Sequence, residues 1–298
     1  MDSRLREVFV DAGVRGWLHA VPVTEQVDDQ DERGYDADQP VAMASLYKLP
    51  LLVAWCRAVD AGEIDPVERV TLSQLARTPG PAGISTLQDP VTMTRRDVVQ
   101  MMMTLSDNAA ADSILADLGL DRLSGTLAAL GLHATTVRGG TADSQRLVID
   151  DTGGTDLDTA VRLLADVDLA LESRAHDAAY TSATTARDMT RLLTAIWTDA
   201  AASPESCRWI RSVMQRQIWR HRLASGFPHD DVVVAGKTGT LGSLRHEVGV
   251  VTFPDEVPVA VAVLTHAARP ELALPRADAA IGTAARTAVT PLRRPTRR

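Results

Sequence analysis

The sequence predicts an α/β chain of the α+β kind: an antiparallel sheet formed from both chain termini and covered by helices, with an all-helical lobe inserted between them. Three observations carry this. Strand-like runs stand at the two ends, as VRGWLHAVPV near the start and VVVAGKTGT, HEVGVVTF and VPVAVAVLTH after Gly226. Helical periods fill the middle, at 94–103, 106–118, 121–130 and 184–201. A further helix, 272–290, then closes the chain. With 298 residues, 45% of them hydrophobic, the chain has enough apolar material for one large unit. We expect residues 1–298 to form a single unit, its sheet lobe made of 1–43 plus 224–298 and its helical lobe of 44–223. A small-molecule cleft belongs at such a junction.

Taken in order, residues 3–13 read as a short helix, followed by the first strand and the acidic, turn-rich stretch DDQDERGYDADQP. From Ala44 the text changes to SLYKLPLLVAWCRAVDAGEI, apolar almost all round, which is the signature of a helix inside a core. Pro50 must then sit within its first two turns. GPAGIS (80–85) and VRGGTADS (137–144) read as loops, and DTAVRLLADVDLALES as an amphipathic helix.

Composition excludes several classes of function. The net charge of -8 is spread along the chain, with no basic stripe for a nucleic-acid backbone. No segment approaches the ~20 apolar residues that span a bilayer, and the charged N-terminus does not read as a secretory signal. The expectation is a monomer without nucleic-acid or membrane partners, cytoplasmic as written, with export of a processed form as the alternative. Two cysteines, Cys56 and Cys207, are too few for a disulfide framework and read as reduced core residues. His133, His176, His221, His229 and His246 lack metal-ligand spacing, so no metal or other cofactor is expected.

Of the 31 basic residues only two are lysine, Lys48 and Lys237. Lysine is a compact charge that can lose its proton when buried, whereas guanidinium stays charged. Both lysines fall in short polar strings. In Ser45-Leu46-Tyr47-Lys48 a hydroxyl and an amine lie three apart, on one helix face. Free N–H groups at the helix start favour an oxyanion near Ser45, and a desolvated Lys48 can act as its base. Ser106-Asp107-Asn108 adds a second hydroxyl for relaying a proton and a carboxamide, Asn108, for a substrate carbonyl. It reads equally well as a helix N-cap. Lys237-Thr238-Gly239 lies on a strand. There Lys237 and Thr238 would hold a carboxylate, and Gly239 would let a ligand approach the backbone. The N–H of Thr240 would pair with that of Ser45 as an oxyanion hole.

Together the three strings resemble those of the class A β-lactamases and penicillin-binding proteins. The likeness runs through MASLYKLPLL, through MMMTLSDNAAADSILADLGLDRLSGTLAALGL and through AGKTGTLGSLRHEVGVV. It implies acyl-serine chemistry on a β-lactam or a related amide or ester. Ser45 would be the nucleophile, Lys48 its proton acceptor, Ser106 the relay, and Lys237 with Thr238 the carboxylate clamp. Arg245 would be an auxiliary carboxylate-binding arginine, or else a solvated residue at a strand edge. The sequence departs from the family in lacking a Glu-x-x-Leu-Asn string, whose glutamate activates the deacylating water. Its nearest analogue runs from Asp168, in place of the glutamate, to Glu172, in place of the asparagine. The preferred reading of those two acids is that they face solvent on a helix. Acylation is therefore the firmer expectation, and D-Ala-D-Ala peptides, small esters or a non-catalytic sensor role stand as alternatives.

Overall fold

The computed structural model describes residues 2–24, 31–166, 168–269, 271 and 273–296. Its helices and strands follow in chain order as α1 (Asp2–Asp11), β1 (Val14–Pro22), β2 (Arg33–Tyr35), β3 (Val41–Ala42), α2 (Lys48–Asp60), β4 (Arg69–Leu72) and β5 (Val91–Thr94). Then come α3 (Arg95–Thr104), α4 (Asn108–Leu118), α5 (Leu120–Ala129), α6 (Thr141–Thr152), α7 (Leu157–Ala165), β6 (Ala183–Thr184) and α8 (Ala186–Trp197). The chain finishes with α9 (Pro204–Gln215), β7 (Val233–Leu241), β8 (Leu244–Thr252), β9 (Val259–Ala267) and α10 (Pro275–Val289).

The main sheet has the order β2-β1-β9-β8-β7, with every neighbouring pair antiparallel. Both termini therefore feed one sheet, and β7 is left at its edge. β8 and β9 are buried along nearly their whole length because helices cover both faces. On one face α1 and α10 pack Leu5, Phe9, Ile281 and Ala285 against Val261 and Val263. On the other, the helical lobe packs through Leu192, Leu193 and Met189 against Ala260, Ala262 and Leu264. No helix of the described residues is long and apolar enough to cross a membrane.

α2 runs through the middle of the larger core, with ten residues from Lys48 to Ala58 buried. Pro50 is its third residue, where a backbone N–H would lie outside the regular helical ladder, so the ring fits without a kink. Cys56 and Cys207 are buried free thiols.

Three elements differ from the sequence expectation. A loop is expected over 137–144, yet α6 starts at Thr141. Its first N–H groups, of Thr141 (2.7 Å) and Ala142 (2.8 Å), donate to the carboxylate of Asp112, some thirty residues away. A distant cap of this kind leaves no local sign. The helix expected at 158–173 is α7 and ends at Ala165, where Asp166 turns extended and Ala170 takes a positive φ of 47°. α9 is additional, although Ser203 as its cap and Pro204 at its first position are ordinary start signals.

Candidate active site

The turn before α2 is a short 3-10 segment, Ala44–Tyr47, that Ala44 enters with a positive φ of 45°. Strain of this kind persists only where the surroundings hold it. Here β3 pairs with β6, and Met43 N–H donates to Ser182 O at 2.9 Å, which fixes the residue before the turn. The turn lies against β7: a Cβ on Gly239 would come within 3.1 Å of both Leu46 Cγ and Met43 O. Gly239 thus lets the segment bearing Ser45 close on the sheet edge, rather than admitting a ligand as the sequence reading had it. Ser45 is half-buried and opens on a cavity of about 490 Å³.

Ser106, in the link between α3 and α4, also has a positive φ, 59°. The next residue, Asp107, is buried and caps α4 by accepting from Ala110 N–H at 3.2 Å. It also accepts from Ser85 Oγ at 2.9 Å and from Ile84 N–H, pinning the 80–85 loop beside the cleft. The N-cap reading of this string therefore holds for Asp107 alone. Asp107 caps, while Ser106 and Asn108 line the cavity.

Both lysines are completely buried and converge on Ser106. Lys48 Nζ donates to Ser106 O at 2.7 Å and to Asn108 Oδ1 at 2.8 Å, and lies 3.4 Å from Ser106 Oγ. Lys237 Nζ donates to Ser106 Oγ at 2.8 Å and to Thr238 O at 2.7 Å. Burial pulls the Lys48 ammonium down to about 7, against the pull of Asp112 and Asp107. A neutral Lys48 spends its two N–H groups on Ser106 O and Asn108 Oδ1 and keeps its lone pair for a hydroxyl proton. Burial, with Lys48 nearby, lowers Lys237 well below its ordinary range too. Asn108 Nδ2 donates to Pro79 O at 2.8 Å, which leaves one of its N–H groups for a ligand.

The hairpin register sets what β7 offers. Leu241 pairs with Leu244 across a two-residue turn, so the paired N–H groups on β7 are those of residues 241, 239 and 237. Thr238 and Thr240 direct theirs out of the sheet edge. Thr240 lines the cavity with Ser45, whose own N–H at the start of the 3-10 turn lacks a helical acceptor. Residues 45 and 240, the two expected to supply an oxyanion hole, thus line one cavity.

Arg245 is buried, lines the cavity, and donates to Leu244 O at 2.9 Å and to Gly242 O. Burial and the neighbouring Arg222 lower it to about 10. Arg222 escaped the sequence reading. It donates to Gly239 O (3.0 Å), His246 O (2.8 Å) and Thr240 Oγ1 (2.9 Å), and pairs with Asp278 at 2.6 Å. Trp219, Asp278 and Gln217 were also missed. Gln217 and Trp219 come from irregular chain, and Asp278 from the far terminus. His246 is fully buried and lies in the core, bonded through its ring to Ala42 O and Thr265 N.

The structure does not bring Asp168 and Glu172 to this cleft. Both are exposed, Asp168 on a turn and Glu172 in a stretch without regular structure, rather than on a helix. Glu172 instead lines a different cavity, of about 520 Å³, with His176 and His266. Among the described residues Asp278 is the only carboxylate on the wall of the Ser45 cavity.

Residues 3–291 match the family described as the Beta-lactamase enzyme family. The chain belongs to that family. It is 30% identical to the β-lactamase regulatory protein BlaB of Streptomyces cacaoi, over 96% of each chain. Its fold is that of a β-lactamase from Sphaerobacter thermophilus, at a TM-score of 0.76 and 23% identity over 97% of both chains. An ancestral class A β-lactamase is similar at 0.77 and 23%, over 97% of this chain and 99% of that one. PBP-A, solved in a mutant form as an acyl-enzyme complex with penicillin G, is similar at 0.76 and 20%, over 97% of this chain and 95% of that one.

Proposed function

We propose that the protein is acylated at Ser45 by β-lactams or related cyclic amides and that the acyl-enzyme persists. The observation that carries this reading is the convergence of the two buried lysines on Ser106 at the wall of the Ser45 cavity. Neutral Lys48 takes the proton of Ser45 as Oγ attacks the lactam carbonyl carbon. The oxyanion that forms is held by the N–H groups of Ser45 and Thr240. As it collapses the C–N bond breaks, and the leaving nitrogen takes the proton of the Ser106 hydroxyl. Ser106 is re-protonated from Lys237 or Lys48, both within its reach. Arg245 and Arg222 supply positive charge for an anionic ligand group.

Hydrolysis of the resulting ester needs a base beside the acyl carbon. The one carboxylate of the cavity wall among the described residues, Asp278, is spent on Arg222 at 2.6 Å, so slow deacylation is the reading the geometry favours. That behaviour suits a penicillin-responsive receptor, and the relative in Streptomyces cacaoi is named a regulatory protein. Intact-mass spectrometry after exposure to benzylpenicillin should give one lasting adduct per chain, and none on the Ser45→Ala variant. An unmodified wild type defeats the proposal, and rapid loss of the adduct with many turnovers of a chromogenic cephalosporin defeats its second half.

A further inference from the structure

Thr238 stands at the sheet edge with its N–H directed out of the strand and its side chain on the cavity wall. Both of its donors face the same atom. Its N–H lies 2.7 Å and its Oγ1 3.0 Å from Oε1 of Gln217, which is itself buried. At the other end of the amide, Gln217 Nε2 donates to Glu247 Oε1 at 3.0 Å. Glu247 is buried on β8 opposite Thr238, and its other oxygen accepts from Leu223 N–H at 2.7 Å.

These partners settle which way round the amide sits. A backbone N–H can only donate, so the atom nearest Thr238 N must be the amide oxygen, and the NH2 group is left to the carboxylate. An oxygen 3.0 Å from the Thr238 hydroxyl can only accept from it. The single hydroxyl hydrogen of Thr238 is therefore turned toward Gln217, and its lone pairs are what remain for the cleft. Two residues on, the polarity reverses. Thr240 Oγ1 accepts from Arg222 at 2.9 Å, which leaves its hydrogen free to donate.

We propose that Gln217 is a positioning residue that makes Thr238 a hydrogen-bond acceptor toward the cleft, so that this position selects a ligand group bearing an N–H or O–H, such as a carboxamide, over a carboxylate oxygen. The inference rests on the acyl-serine reading for the identity of the cleft's ligand, but the polarity at Thr238 follows from the hydrogen bonds alone. A carboxylate oxygen placed against Thr238 meets lone pairs, and one mispaired polar contact is worth about tenfold in affinity.

Equilibrium binding to the Ser45→Ala protein, where no covalent step follows, tests this with benzylpenicillin and its carboxamide as the matched probes. Thr238→Val should weaken the carboxamide by about tenfold while the carboxylate changes by less than about threefold. Gln217→Leu, which frees the hydroxyl to donate, should strengthen the carboxylate by about tenfold and leave the carboxamide no tighter. A merely structural role would shift both probes together. If the leucine variant does not fold, the valine variant decides alone. The inference is overturned if Thr238→Val weakens the carboxylate more than the carboxamide, if both move alike, or if neither probe binds. A wild type that never forms an adduct, beside an alanine protein that shows the opposed responses, would sink the acyl-serine reading and leave this one standing.

Discussion

The Ser45 cleft and the 139–182 segment both hold charged groups and use them oppositely. In the cleft, Lys48, Lys237 and Asp107 are buried, and their hydrogen bonds converge on one hydroxyl or pin one loop. In the segment the acids serve the chain itself. Asp143 accepts from Gly140 N–H (2.9 Å), Asp156 caps α7, and Asp151 receives Ser173 Oγ (3.1 Å) and Arg174 N–H (2.7 Å). Buried polar groups are costly unless satisfied, so their concentration in the cleft is what sets it apart from the segment. On the proposed function the contrast places acylation in the cleft and gives the acids of the segment no part in it.

The largest effect should come from Lys48. Replacing it by alanine removes the proposed base, and the acylation rate measured by rapid quench should fall by about a thousandfold. A loss under about tenfold would move the base elsewhere and erase the contrast. The same residue fixes the pH dependence. Because Lys48 must be neutral to accept a proton and titrates at about 7, acylation should climb with pH through neutrality and level off above it. The acidic limb should vanish in the Lys48→Ala protein.

Stability carries the matching sign. The folded-state pKa of Lys48 lies below its ordinary value of 10.5, so between about 7 and 10.5 the unfolded chain holds the proton that the folded one has lost. Stability from this group is greatest above that window and is lost as the pH falls through it. Lys48→Met should flatten this slope in denaturant titrations run from pH 7 to 10.5.

A smaller effect is expected at the contact that seats the nucleophile. Gly239→Ala sets a methyl 3.1 Å from Met43 O and Leu46 Cγ, and backbone yields less readily than a side chain. Overpacking of this kind costs about 1–3 kcal/mol, and because the contact is with the turn bearing Ser45, acylation should drop about tenfold. Equal losses in acylation and in the stability of the whole fold would show that the glycine serves the core and not the site.

The three strings were legible because their spacing is local: a helix turn sets Ser45 and Lys48 on one face, and alternation sets Thr238 and Thr240 on the sheet edge. The sheet assembled from both termini was legible for a similar reason, since its long strands are apolar-rich stretches at the two ends of the chain, such as VRGWLHAVP and VAVAVLTHA, with helical periods between them. Gln217, Arg222 and Asp278 were not, because Arg222 is defined by partners at residues 239, 240, 246 and 278, which only tertiary packing brings together. The start of α6 was misread for the same cause, its cap being Asp112 rather than a neighbour in sequence.

The smallest effect should come from Asp168 and Glu172, the acids nearest in sequence pattern to a water-activating pair. Asp168→Asn and Glu172→Gln should each leave the lifetime of the acyl-enzyme unchanged within about twofold, followed by mass spectrometry after dilution from benzylpenicillin. Both side chains are exposed, and Glu172 faces a cavity shared with His176 and His266 rather than with Ser45. A group that does not touch the acyl carbon or its water can act only through the chain between, and that chain is anchored independently by Asp151 and by His176 against the β7–β8 turn, where a Cβ on Gly242 would come within 2.5 Å of the imidazole. A tenfold longer lifetime in either variant would give the segment a part in deacylation and dissolve the division of labour between the two regions.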